Sequence, residues 1–134
     1  MPQPPPTKVT EQGTQVFAAV SLLAIGLSHV LQPAVWVAYY QALVAKGPPG
    51  AFVEGFLSLT FGGIIAAFHN VWHGPAFVLT VIGWGQVAKG LTRFLAPEFS
   101  LRIMSRADNV RSFRFGGAFA LLLSGYVWWL RFQT

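Results

Sequence analysis

The chain has no cysteine and only four acidic residues in 134. The first absence rules out disulfides, thiolate metal sites, iron–sulfur clusters and cysteine nucleophiles. The second leaves no paired carboxylates, and there is no nucleophile–base pair or glycine loop at a strand–helix junction either, so an enzyme is not expected. No C-x-x-C-H haem attachment can exist. Charge of either sign is scarce. Charged residues make up 10%, where soluble domains carry about 25%, so these residues cannot supply the polar surface of a soluble fold.

What the chain does have is long apolar runs. Hydrophobic residues make up 54% and mean hydropathy is +0.54. Stretches at about 16–31, 50–71, 75–96 and 115–130 each approach the roughly 20 residues that a helix needs to cross a bilayer. The expected fold is therefore all-α: an integral membrane bundle of four transmembrane helices in a single domain, residues 15–134. Residues 1–14 are Pro-rich and polar and read as an extended or disordered tail without the layout of a signal peptide. Pro33 interrupts the first apolar run, and residues 34–46 read as a short interfacial helix. A single helix kinked at Pro33 would instead carry His29 toward mid-membrane. Gly47-Pro48-Pro49-Gly50 is a turn, and Trp72-His73-Gly74-Pro75 is a tight hairpin between antiparallel helices. No internal repeat is evident.

Five of the nine basic residues lie between Arg93 and Arg114. The expected pI near 10.3 therefore reflects headgroup attraction beside membrane spans, and nucleic acid is not an expected partner. Lys8 and Arg131 lie on the side of both termini and the 72–75 hairpin. Lys46, Arg93, Arg102, Arg106, Arg111 and Arg114 lie opposite, with Lys89 close beneath. The richer side belongs in the cytoplasm, so segment 97–114 is expected there and both termini outside.

Ionisable groups within spans are costly, so each is a candidate site. At about 100° per residue, Glu54, Ser58, Gly62 and His69 share one stripe of the second span. Gly85, Gln86, Lys89 and Arg93 share one on the third, and Gln15, Gly26 and His29 line up on the first. His29, Glu54 and Lys89 fall at one depth, as a proton or cation relay or as an interhelical ion pair with Lys89 reaching toward headgroups. His69 and His73 are four apart, but Gly74-Pro75 ends the helix there and no carboxylate completes a ligand set, so no metal is expected. His29 or His69 could serve as axial ligand to haem or (bacterio)chlorophyll. Beyond that no cofactor is expected, though bound lipids are.

Gly62, Gly63, Gly83, Gly85, Gly90, Gly116 and Gly117 offer surfaces on which membrane helices can approach closely. Trp36, Tyr39, Tyr40, Trp72, Trp128 and Trp129 are the expected anchors to the lipid interface or to a partner.

Phe68-His69-Asn70-Val71-Trp72, followed by Gly83-Trp84 and Lys89-Gly90 before Pro97, resembles a group of small bacterial inner-membrane proteins. Those share an H-N-x-W hairpin, a G-W pair and a K-G near the end of the next helix. The layout agrees over about residues 20–130 and the motifs occupy 68–97. The resemblance implies a four-helix protein of the bacterial inner membrane and carries no activity. The leading expectation is an accessory or assembly subunit of a respiratory or photosynthetic membrane complex, contacting lipids and other subunits. A small homo-oligomeric transporter or channel using Glu54, His29 and Lys89 is the first alternative, and a tetrapyrrole-binding subunit the second.

Overall fold

Prolines punctuate the chain. Pro33, Pro48 and Pro97 each stand in the first turn of a helix, where a missing N–H leaves no bond unmade and the fixed φ suits the helix. The computed structural model describes residues 6–133. It has six helices: α1 (Pro6–Leu31), α2 (Pro33–Ala45), α3 (Pro48–Phe68), α4 (Phe77–Leu95), α5 (Pro97–Ser105) and α6 (Val110–Gln133). Gly47 joins α2 to α3 with φ 74°, a left-handed backbone that glycine adopts without penalty.

The long helices form two antiparallel pairs, α1 with α6 and α3 with α4. Each pair closes on glycine. A Cβ on Gly62 would sit 2.6 Å from the Gly83 carbonyl oxygen, and one on Gly117 would sit 2.8 Å from that of Gly26. With no hydrophobic drive between helices in lipid, such close approach lets dispersion hold the pair together. The two pairs touch each other much less, and α4 packs substantially on neither α1 nor α6. Between them a core of Ala18, Ala19, Leu22, Ile65, Leu79 and Val127 fills the seam. α2 lies across α3, α5 and α6, and Leu43, Ala51 and Met104 bury one another where α2, α3 and α5 meet.

The outer faces are apolar. Phe56, Phe115, Phe119 and Leu122 are all more than 60% exposed, an arrangement that water would not tolerate on this scale and a bilayer does.

Several expectations are corrected. Among the described residues three helices, not four, are long and apolar enough to cross a membrane: Lys8–Leu31, Pro48–Phe68 and Val110–Gln133. α4 falls short because Gln86, Lys89 and Arg93 occupy its C-terminal half. Without that fourth span, the even count that put both termini on one side no longer holds. The first half of the basic segment folds into α5, a second short helix. The Ser100 hydroxyl donates to the Thr92 carbonyl at 3.2 Å, holding α5 back against α4. α6 starts at Val110, five residues before the expected span, and Asn109 Oδ1 accepts the Arg111 N–H at 2.8 Å as an N-cap. Arg111 and Arg114 are therefore helical. The tail expected to be disordered is helical from Pro6 onward, with Thr10, Thr14 and Gln15 engaged in hydrogen bonds or contacts. The rest of it, residues 1–5, lies outside the described residues. Pro33 breaks the helix, with Gln32 at φ −133°, so His29 sits near the end of α1.

Candidate functional site

A cavity of about 460 Å³ opens in the seam between the two helix pairs. Its polar wall is Glu54 and Ser58 of α3, Gln86 and Lys89 of α4, and Tyr39 and Tyr40 of α2. Leu22, Ile25, Phe61, Ile82 and Leu123 are among its apolar lining. Both polar faces arise from helical spacing: Glu54 and Ser58 are one turn apart on α3, as are Gln86 and Lys89 on α4.

Lys89 Nζ lies 2.7 Å from Glu54 Oε1, with the carboxylate side chain 7% exposed and the lysine 35%. The Tyr40 hydroxyl donates to the same Oε1 at 3.1 Å. Burial, and then the Glu54 charge, pushes the Tyr40 phenol above its ordinary value, so it stays a proton donor to the carboxylate. The buried Tyr39 hydroxyl has no partner among the described residues.

His29 lines the same cavity but does not join the ion pair. Its ring stacks on Trp36 at 4.1 Å, its Nδ1 donates to the Ile25 carbonyl at 2.8 Å, and Gly117 lets α6 pass within contact of its Cβ. The Trp36 indole donates to Ser28 Oγ at 2.8 Å. From Trp36 the rings continue edge-on to Tyr39 and then Tyr40, at centroid separations of 5.4 and 5.6 Å. An aromatic series thus links His29 to Glu54. Trp36, Tyr39 and Tyr40, expected as interfacial anchors, turn inward onto this cavity. An aromatic body with a polar tip fits either setting, and the α2 packing decides it. Trp72 and Trp129 are exposed at 60% and 48%, while Trp128 packs on the seam core.

Two further expectations change. Arg93, expected at headgroups with Arg102, Arg106, Arg111 and Arg114, is 6% exposed because its stem packs where Gly55 lets α3 approach, and its Nε has no partner among the described residues. The other four are exposed. A Cβ on Gly63, Gly85 or Gly116 would meet nothing within 4 Å, whereas Gly62, Gly83, Gly90 and Gly117 all face close neighbours. Gly26, Gly50 and Gly55, which stand outside the expected packing set, are equally crowded, since spacing alone does not tell which face is packed.

At the other end of the seam the H-N-x-W residues organise the connection between α3 and α4. His69 is fully buried. Gln15 Nε2 lies 3.1 Å from His69 Nε2, and His69 Nδ1 lies 3.2 Å from Thr80 Oγ1. The amide donates to Nε2, which leaves the imidazole proton on Nδ1, donated to Thr80. Thr80 Oγ1 also accepts the Val71 N–H at 3.0 Å and donates to the Val71 carbonyl at 2.8 Å, with the His69 carbonyl 3.0 Å away. Asn70 Oδ1 receives both the Trp72 and the Trp84 indole, at 2.8 and 3.2 Å. Burial holds the His69 imidazole below its usual range, partly opposed by its backbone hydrogen bond and by Glu11. Both His69 ring nitrogens are thus engaged by protein groups. Among the described residues no three His, Asp or Glu side chains cluster to hold a metal ion.

No protein family and no solved structure matches the chain. It is 31% identical over 98 residues to the bidirectional sugar transporter SWEET15 of Oryza sativa subsp. indica, and equally to that of subsp. japonica. The aligned stretch covers 72% of this chain and 31% of each relative, so the chain spans about a third of the length of the curated relatives it matches. With its candidate spans and apolar outer faces, the chain is a multi-pass helical membrane protein.

Proposed function

We propose that this chain is a membrane transport subunit whose cavity between the two helix pairs takes a small polar solute of the sugar class. The observation that carries the reading is the cavity itself. An ion pair and the side chains of Ser58, Gln86, Tyr39 and Tyr40 sit in a space of about 460 Å³, within the range of small-molecule sites. It lies at the seam where the chain is least packed, so a change in the angle between the pairs alters access without breaking either pair. Stacked and edge-on aromatics beside hydroxyl and amide groups suit the apolar and hydroxylated faces of a sugar ring. The relatives named as sugar transporters support transport over the accessory-subunit expectation. The seam cavity of a single copy needs a second copy to complete a path across the bilayer.

The test is counterflow of radiolabelled glucose and sucrose in proteoliposomes containing the full chain. Uptake above that of empty liposomes is expected, falling about tenfold or more in Glu54→Gln if the carboxylate contributes one charge-assisted hydrogen bond to the solute. Absence of uptake for both sugars in well-folded protein overturns the reading.

A further inference from the structure

The buried pair of Gln15 and His69 lies outside the cavity and is not needed for it. His69 is fully buried and has no carboxylate within salt-bridge reach; its direct side-chain partners are Gln15 and Thr80. Gln15 is 5% exposed, and its Oε1 is buried without a partner among the described residues. A buried amide oxygen left unpaired is costly, and this one belongs to the amide group whose nitrogen already bonds the imidazole. Rotation of that amide by half a turn exchanges the two atoms. The orphaned oxygen would then face His69 Nε2 as an acceptor.

We propose that Gln15 and His69 form a proton-binding site at the end of the seam nearest the α3–α4 connection. With the imidazole neutral, Gln15 Nε2–H donates to Nε2. When Nε2 takes up a proton, the amide turns and Oε1 accepts the new N–H, while Nδ1–H continues to donate to Thr80. Each state leaves the imidazole fully hydrogen-bonded, and no backbone movement is required.

A second cavity supplies the proton. It measures about 280 Å³ and is lined by Gln15 together with Lys8, Glu11 and Gln12 of α1, and by Val71 and His73 of the connection. α6 contributes Leu130 and Gln133 to it, with Arg131 in the same last turn, and α4 presents Thr80, which does not titrate. Of these groups Glu11 favours the protonated imidazole, whereas Lys8, Arg131 and a charged His73 oppose it. This site stands whatever solute the other cavity takes.

The experiment is NMR of the full chain in lipid nanodiscs with ¹⁵N,¹³C-labelled histidine, the three histidines assigned by single His→Gln variants. At pH 8 His69 should show the tautomer protonated at Nδ1, and it should titrate with a midpoint below about 6.5, the ordinary histidine value. Gln15→Leu, which removes the acceptor, should lower that midpoint by roughly one pH unit or more, and Gln15→Glu should raise it by as much. A His69 tautomer protonated at Nε2, or a midpoint that moves in neither variant, overturns the site. So does failure to titrate above pH 4.5. Should Gln15→Leu not fold, the upward shift in Gln15→Glu decides alone.

Discussion

Removing Lys89 should cost far more than removing the charge of Glu54, although they are two ends of one ion pair. The Glu54 side chain is 7% exposed and the Lys89 side chain 35%. In Lys89→Met the carboxylate stays buried, and its remaining side-chain partner is the Tyr40 hydroxyl. Breaking a buried pair from one side in this way costs about 3–5 kcal/mol. In Glu54→Gln the ammonium is already one-third in contact with the surroundings, on a four-carbon stem that extends to headgroups, so the loss should be about 1 kcal/mol. Glu54→Gln/Lys89→Met leaves no charge behind and should recover most of what Lys89→Met loses, giving a coupling of about 2–4 kcal/mol. Equilibrium unfolding in mixed micelles against SDS mole fraction, at constant lipid, measures all four corners of the cycle. Equal losses in the two single variants, or a double variant as weak as Lys89→Met, would refute the picture of a buried carboxylate held by a lysine one-third exposed.

Gly62→Leu should separate α3 from α4, because even a Cβ there would sit 2.6 Å from the Gly83 carbonyl; a loss of about 1–3 kcal/mol in the same assay is expected, against little change for Gly63→Leu, whose Cβ meets open space. Stability should also depend on pH through His69, whose folded value lies below the ordinary 6.5. The unfolded chain then binds the proton first, so stability is full above about 6.5 and falls as pH drops toward the folded value. Thermal unfolding between pH 8 and 5 reads this, and a His69→Gln variant with the same acid slope as the parent would contradict it.

Much of the bundle was legible because proline and glycine mark its corners. Pro33, Gly47-Pro48 and Gly74-Pro75 all stand where helices stop or start, and Glu54 and Lys89 meet as their depth in the two helices implied. The span count failed for α4, where membrane length and apolar composition diverge. Nineteen residues suffice in length, but Gln86, Lys89 and Arg93 face the seam and its α3 neighbour. The Asp108-Asn109 pair carried a capping signal for α6 that the surrounding arginines obscured. Tyr39 and Tyr40 could not be placed from sequence, since the same amphipathic ring serves a headgroup boundary or a polar cavity. Nor could Gln15, whose partner lies 54 positions away; only the docking of one helix pair on the other brings the two together.

That docking explains where the polar chemistry lies. Within each pair, glycine brings the backbones close and leaves little room for polar groups, and the apolar outer faces suit lipid, which solvates no charge or amide. The seam between the pairs is the remaining volume able to hold polar groups, and they collect at its two ends. Glu54, Lys89 and Tyr40 lie at one end, Gln15, His69 and Thr80 at the other, with the alanine-rich core of Ala18, Ala19, Ile65, Leu79 and Val127 sealing the space between. On the transport reading proposed above, a small apolar plug between two polar clusters would keep a solute path closed at rest. Enlarging the plug, as in Ala18→Leu, would force the pairs apart while leaving the glycine contacts within each pair untouched.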